Sequence, residues 1–483
     1  MSETCIEVKS NFRTYFKQNK KVIGIIISLL VGFVLWLIPP FNGLTPEGQK
    51  ILASIISLIT LLIFEVISIG LTCLLWACFI TMTGLVKGSV AFSGFINDTT
   101  WLILGAFMIG VAATKTNVAR RIAYNILKYC RNSYYVLTLM IVIVGWVLSL
   151  FIPSGTSRSA ILLPVFIGTM EVLKIRENSN LGANFIILFL YAMGIGGPSI
   201  TIYTATLMNP IIGGALKSVV NVDMTWGLWV WYNIIPGIFT SIILWGAIHL
   251  IAKPETKSIE GGVEAINKEL VALGKLTNEE KKAAFWMLLA LVLWATESVH
   301  HISAAYVALF IGTMLFLPKV GVLKNKDLSS LPWDTFLFIG AALAIGNALK
   351  AGKVDAWITK FFMDPFLEPM ANLGIYGVVI GLFIFVYLVH LFIPSSTACL
   401  TAIAPLTISW AVNQGVNPIF AGIITGMGAH PFIFPYQIMP IMITWPYAKV
   451  TVGKVAYVAL GMSIVYFICT IISAFIWWIP VIL

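Results

Sequence analysis

This chain is dominated by a succession of apolar runs, each close to the length needed to cross a lipid bilayer. A transmembrane helix needs roughly 17–25 apolar residues. Runs near that length occur at Val22–Ile38, Ile51–Ile67, Ser68–Val86, Tyr135–Ile152, Trp229–Ile251, Ala283–Val299, Ala304–Leu317, Ile375–Phe392 and Val455–Leu483. Within hydrocarbon every backbone polar group must be satisfied by the protein itself, which leaves helices or closed barrels. Barrel strands alternate polar and apolar residues over segments of about ten, and these runs do not alternate. Only 10% of the residues are charged, against about a quarter in a soluble chain. The sequence therefore predicts an all-α polytopic membrane protein.

The net charge is +10, and its placement orients the chain. Lys9, Arg13, Lys17, Lys20 and Lys21 precede the first run, opposed only by Glu3 and Glu7. Between Lys115 and Arg131 lie further basic residues and no acid. Basic excess in short loops marks the cytoplasmic side, so the N-terminus and this segment are placed inside. The uncharged, Trp-containing end at Ile476–Leu483 suits the external interface. An inside N-terminus and an outside C-terminus require an odd number of spans, and ~11 fits the run lengths. Charge spread over loops between spans argues against a nucleic-acid partner. Cys5, Cys73, Cys78, Cys130, Cys399 and Cys469 show no metal-ligand spacing, so no cofactor is expected.

Residues 253–282 mix lysines and glutamates and read as a charged, solvated, partly helical linker. It separates a cytoplasmic segment (1–21) and a first half (22–252) from a second half (283–483). The halves carry matching words in the same order. Thr100-Trp101-Leu102-Ile103-Leu104-Gly105-Ala106 matches Thr335-Phe336-Leu337-Phe338-Ile339-Gly340-Ala341, with Asp98 and Asp334 as caps. Phe151-Ile152-Pro153-Ser154-Gly155-Thr156 matches Phe392-Ile393-Pro394-Ser395-Ser396-Thr397. Met193-Gly194 ahead of Gly197-Pro198 matches Met427-Gly428 ahead of His430-Pro431. The segment after the first Gly-Ala helix is purely basic, whereas its counterpart Lys350–Glu368 mixes signs. That difference predicts an inverted repeat.

Each Pro-Ser-x-Thr is followed by apolar sequence too short and too broken for a full span. Re-entrant hairpins near 152–178 and 393–415 account for it, since irregular backbone survives at membrane depth only when buried in protein or lining a wet cavity. Ser and Thr hydroxyls can donate to carboxylate oxygens, and the N–H groups opening the next helix carry partial positive charge. Two such tips would offer a donor cluster to each end of a small dianion. Helix capping is the simpler account of either Ser-x-Thr alone; the matched pair favours a site.

These tips, the Gly-Ala helices before them and the Gly-Pro and His-Pro segments after them resemble the divalent anion/sodium symporter family over nearly the whole chain. The resemblance implies a homodimer working as an elevator-type transporter of di- or tricarboxylates. It maps the family's Ser-Asn-Thr tips onto Ser154-Gly155-Thr156 and Ser395-Ser396-Thr397, with Gly197, His430 and Pro431 at the pocket wall. It also implies sodium sites using backbone oxygens around Gly196-Gly197 and Ala429-His430. The tip asparagines of the sodium-coupled members are Gly155 and Ser396 here. A site that loses amide oxygens and gains cations, Arg158 and His390, is a poor sodium cage. Fixed charge in place of sodium predicts exchange, because the empty carrier would resist crossing. Two plainer roles stand beside this one: Arg158 snorkelling to the cytoplasmic interface, and His390 satisfied by a carbonyl.

The sequence thus predicts a bacterial inner-membrane exchanger of C4 or C5 dicarboxylates such as succinate, malate, fumarate or 2-oxoglutarate. A sodium- or proton-coupled di/tricarboxylate symporter is the alternative, and an anion channel the remote one. No enzymatic motif is present: neither His-Glu-x-x-His nor Gly-x-Ser-x-Gly occurs.

Overall fold

The computed structural model describes residues 2–259, 261–393 and 395–483, with the side chains of residues 2–18 and of Tyr436 not described. Pro394 of the second tip, Glu260 of the linker, Cys5 and the charges of Glu3, Glu7, Lys9, Arg13 and Lys17 lie outside it. Among the described residues all regular structure is helical, apart from an isolated bridge between Ser133 and Ser258. Among the described residues, seven helices are long and apolar enough to cross a bilayer, or eight if the pair 98–115 and 118–130, bent by 66°, is one span. The chain is a multi-pass helical membrane protein. Several apolar runs form shorter helices, among them Ile69–Met82, Tyr134–Ser149 and Ala304–Met314.

The chain divides into two compact units, each drawing on both sides of the charged linker: residues 1–100 with 332–365, and residues 101–331 with 366–483. In the first unit, Ser2–Leu37, Pro46–Phe64, Ile69–Met82 and Trp333–Ala351 are the long helices. Their ends are set locally. Thr45 accepts from the Gly48 N–H ahead of Pro46, and Glu65 closes that helix in the left-handed region at φ 50°. Lys20 reaches the Glu65 carboxylate at 2.9 Å. Asp334, expected to cap its own helix, instead accepts from Gly70 N at 3.0 Å and so caps Ile69–Met82. Gly70 is needed there, because a Cβ would lie 2.1 Å from the Asp334 carbonyl oxygen.

The second unit holds both Pro-Ser-x-Thr segments. Its helices around them are α1 (Tyr134–Ser149), α2 (Gly155–Ile161), α3 (Leu163–Val172), α4 (Asn180–Leu190), α5 (Gly197–Thr201), α6 (Met208–Val220), α7 (Trp226–Ile251), α8 (Ile375–Phe392), α9 (Ser396–Asn413), α10 (Pro418–Gly428), α11 (Met439–Ala448) and α12 (Val452–Ser473). Between α4 and α5 the chain widens into a π turn at Tyr191–Ile195 and then breaks at Gly196. The span 180–201 is wholly buried.

Prolines open gaps that side chains fill. Pro236 lies within α7 and has no N–H for the Tyr232 carbonyl. Trp477 and Trp478 both donate their indole N–H to that oxygen, at 3.0 and 2.8 Å. Acids cap helices other than their own. Glu297 accepts from Trp226 N and Ala304 N, and Glu255 accepts from Asn180 N and Leu181 N.

The linker is partly helical, at Gly262–Ala272, but it is docked rather than free. Ile259 and Ile266 are buried. Arg121 binds the carbonyls of Leu273, Gly274 and Lys275 and the Glu280 carboxylate at 2.7 Å. Burial pushes the Glu280 carboxyl up, but the hydrogen bonds and charge of Arg121 and the Thr277 cap outweigh it and hold the group below its ordinary range.

Candidate functional site

Tip 1 is the turn between α1 and α2. The helix α1 stops at Ser149, shortly before Pro153, whose ring disfavours helical geometry in the preceding residue. Ser154 restarts the helix as N-cap, its Oγ accepting from Ser157 N at 3.2 Å. An accepting N-cap hydroxyl keeps its own proton available to donate. Gly155 packs so closely that a Cβ would lie 2.7 Å from Gly194 Cα, 3.1 Å from Met193 O and 3.3 Å from Pro440 Cγ. No side chain fits there without movement. Thr156 follows, half-buried.

One turn beyond Ser154, Arg158 is completely buried. It does not snorkel. Its Nε donates to Met193 O at 2.8 Å, and its Nη1 to Ile152 O at 2.5 Å and Ala205 O at 2.8 Å. Its Nη2 donates to Ser199 Oγ at 3.2 Å. The guanidinium thus ties tip 1 to both sides of the broken segment between α4 and α6. Asn209 completes the arrangement by donating to Ser199 O and Ile202 O.

Tip 2 lies between α8 and α9. Ser395 is the N-cap of α9, with Oγ accepting from Ala398 N at 3.3 Å. Ser396 is buried and its Oγ is 3.1 Å from His390 Nε2. His390 is itself buried, with Nδ1 3.2 Å from Pro431 O. Gln437 donates to His390 O at 3.1 Å and accepts from Ile433 N and Phe434 N. Thr397 is half-buried, its carbonyl accepting from Thr401 Oγ1. His390 therefore stands to tip 2 and the segment after α10 much as Arg158 stands to tip 1 and the segment after α4.

His430 is 1% exposed. Its Nδ1 is 2.8 Å from Gly426 O, and its Nε2 has no partner among the described residues. Its ring stacks on Tyr466 with centroids 6.0 Å apart. The chain from Pro431 to Pro440 meets both tips, through His390 at one end and Gly155 at the other. Gly197 is placed differently: a Cβ there would lie 2.0 Å from Gly237 O, so it packs against α7.

Of α1 to α12, only α3 carries an acid, Glu171. A buried guanidinium behind one hydroxyl-bearing tip and a buried imidazole behind the other, in helices that carry no acid, make an environment that favours anions. Among the described residues no group of His, Cys, Asp and Glu is arranged to hold a metal ion.

The sequence alone does not single out Asn209, Ser199 or Gln437. The available signal is an amide downstream of each Gly-Pro or His-Pro break, Asn209 after Pro198 and Gln437 after Pro431.

The fold is that of a multi-pass helical membrane protein, and its likeness to known proteins makes it a transporter. The sodium:sulfate symporter transmembrane region matches residues 19–483. The chain belongs to that divalent anion:sodium symporter family. Among its relatives, a sodium-dependent dicarboxylate transporter of Staphylococcus saprophyticus is 25% identical, covering 97% of this chain and 95% of that protein. An L-tartrate/succinate antiporter of Escherichia coli is 25% identical over 80% of each. The YdaH transporter of Alcanivorax borkumensis shares the fold, with a TM-score of 0.52 at 14% identity over 84% of this chain and 89% of that one.

Proposed function

We propose that the chain is a dicarboxylate:dicarboxylate exchanger for C4 or C5 acids such as succinate, malate, fumarate or 2-oxoglutarate, in a bacterial plasma membrane. Ser154 and Thr156 hold one carboxylate and Ser395 and Thr397 the other, with Ser396, His430 and Pro431 at the wall. The observation that carries this reading is the placement of Arg158 and His390. Each is buried directly behind a tip, in elements almost without acids. Arg158 is bonded to protein acceptors, so its charge compensates the ligand through its field and not by contact. Buried charge is costly unless paired or hydrogen-bonded. A carrier with built-in positive charge crosses more easily when a dianion is aboard, which is the energetics of exchange. The relative that exchanges tartrate for succinate accords with this.

Other features of the reading rest on resemblance and order. Helix, tip, helix and broken segment recur in the same sequence from α1 to α7 and from α8 to α12, which supports an inverted repeat. On this reading α2 and α3 belong to the re-entrant hairpin near 152–178 and α9 to the one near 393–415. Both tips fall in one compact unit, which supports their moving together in an elevator cycle. A homodimer with ~11 spans, the N-terminus inside and the C-terminus outside, completes the proposal.

Sodium-coupled symport is the second reading, favoured by the sodium-dependent relative that aligns along 97% of this chain. Uptake of labelled succinate and 2-oxoglutarate into proteoliposomes separates the two. Exchange predicts uptake that needs internal dicarboxylate and is equal in sodium and choline. Uptake into empty vesicles that rises with sodium overturns it.

A further inference from the structure

We propose that His390 is a positioning residue whose protonation reverses its hydrogen bond to Ser396, so that binding of a small dicarboxylate at tip 2 takes up a proton. This rests on the reading of the tips as carboxylate sites.

The direction of each bond follows from its partner. The Pro431 oxygen is a carbonyl and can only accept. His390 Nδ1, 3.2 Å away, therefore carries a hydrogen. In the neutral ring Nε2 is then a bare lone pair, and the Ser396 hydroxyl at 3.1 Å must donate to it. In that state the Ser396 proton points at the ring. A carboxylate, which offers only acceptors, would meet serine lone pairs there. Adding one solvent proton to Nε2 reverses the bond. Nε2–H now donates to Ser396 Oγ, and the serine hydroxyl is released to donate outward. No other bond forms or breaks, and the site gains one positive charge.

The surroundings decide what holds that charge. The helix α8 packs on α9, α10 and α12. The titratable groups there are Cys399 on α9, Tyr466 and Cys469 on α12, and His430 just past α10. Lys454 and Tyr457 lie two turns or more earlier on α12, and α8 itself carries Tyr376 and Tyr387. None of these helices bears a carboxylate. Asp364 and Glu368 belong to the helix Asp364–Ala371, whose Met370 packs at Gly377 and Gly381, toward the other end of α8 from His390. Among the described residues nothing beside His390 therefore supplies negative charge, so a bound dianion is what favours the imidazolium. Ligand and proton bind together by linkage.

Calorimetry of the full-length protein with succinate and with 2-oxoglutarate tests this directly. Titrations in Hepes and in Tris at one pH give a slope of heat against buffer ionisation enthalpy, and that slope counts protons. The expected result is uptake of up to one proton per dicarboxylate, lost in His390→Gln. Ser396→Ala keeps the ring and removes the hydroxyl. Its affinity gain from pH 8 to pH 6 is expected to shrink from about tenfold to about threefold. Binding with zero slope overturns the relay and leaves the transport reading standing. Undiminished uptake in His390→Gln places the proton elsewhere and also overturns it, as does an unchanged pH response in Ser396→Ala. No heat with either acid overturns the carboxylate reading, and the relay with it.

Discussion

The two tips are built alike at the serine and differently behind it. Ser154 and Ser395 each cap the helix that follows, at 3.2 and 3.3 Å. Behind tip 1 stands Arg158, always charged and bonded to four acceptors. Behind tip 2 stands His390, with two ring contacts and a charge that depends on its surroundings. A guanidinium has five donors in a fixed plane, and here most of them join separate pieces of backbone. An imidazole joins only two groups but can reverse one of its bonds. A buried nitrogen-bearing side chain behind a tip, on the capped helix in one case and on the preceding helix in the other, can thus serve as a rigid brace or as an adjustable one.

The sharpest way to break this contrast is to alter the brace at tip 1. Arg158→Met leaves the carbonyls of Ile152, Met193 and Ala205 buried without that donor, at about 1–3 kcal/mol for each unsatisfied group. Exchange is expected to fall by at least ~100-fold, with a lower melting temperature in detergent. Arg158→Lys keeps the charge and loses the fork; it is expected to recover under about a tenth of the exchange rate. Full recovery with lysine would reduce the difference between the tips to charge alone.

Gly155 offers the next largest effect. Gly155→Ala drives a Cβ toward Gly194 and Pro440, and overpacking of this kind costs about 1–3 kcal/mol. Exchange is expected to drop about tenfold or more. Gly155→Asn is expected to be inactive in sodium and choline alike, because the space an amide would need is filled. Sodium-stimulated uptake by that variant would show the tip to be more yielding than its packing implies.

The serines should behave as equals. Ser154→Ala and Ser395→Ala each remove a cap worth about 1 kcal/mol, and their melting temperatures should fall by similar amounts. A clearly unequal pair would mean that one tip leans on its cap and the other on its brace.

The smallest effect lies away from the tips and serves as their control. Asp327 pairs with Lys115 and accepts from Lys324 N. The Lys115 hydrogen bond first, then the Lys324 N–H and the nearby positive charge, hold its carboxyl below the usual range despite some desolvation. A depressed folded pKa adds stability above the unfolded pKa, and that stability is lost as pH falls through the folded value. Asp327→Asn is expected to cost under about 1 kcal/mol at pH 7 and nothing in strong acid. It should leave the ratio of tip effects unchanged, as thermal melts and exchange assays on the same preparations would show.

The elements most plainly written in the sequence are those the solvent dictates. Lipid tolerates only self-satisfied backbone, so apolar runs declare themselves, and Gly196 and Pro198 declare the break they cause. The capping serines could be read for the same reason, since a hydroxyl after a proline has a limited set of uses. Run length is less reliable: Tyr135–Ile152 is uncharged and of spanning length, yet its helix ends at Ser149 because Pro153 and Ser154 begin a new element. The partners of Arg158 could not be read at all. Three of the four are backbone carbonyls, two of them 35 and 47 residues away, and a carbonyl has no identity in a sequence. Gln437 and Asn209 were hidden similarly, as amides whose roles depend on where a broken helix turns. The linker misled through its charge. Ile259 and Ile266, seven residues apart among lysines and glutamates, were the sign that it would dock.

The Pro236 gap has a consequence for how the protein is made. The Tyr232 oxygen lacks its regular helical donor because residue 236 is proline, and the indoles that satisfy it lie 245 and 246 residues later. At a synthesis rate of about 5–20 residues per second, α7 waits roughly 12–50 seconds after translation before those tryptophans exist. Throughout that interval a bare carbonyl must be met by water, a lipid headgroup or the insertion machinery. A ribosome paused before codon 477 would therefore leave not a nearly finished protein but one with an open seam in a helix of its first half.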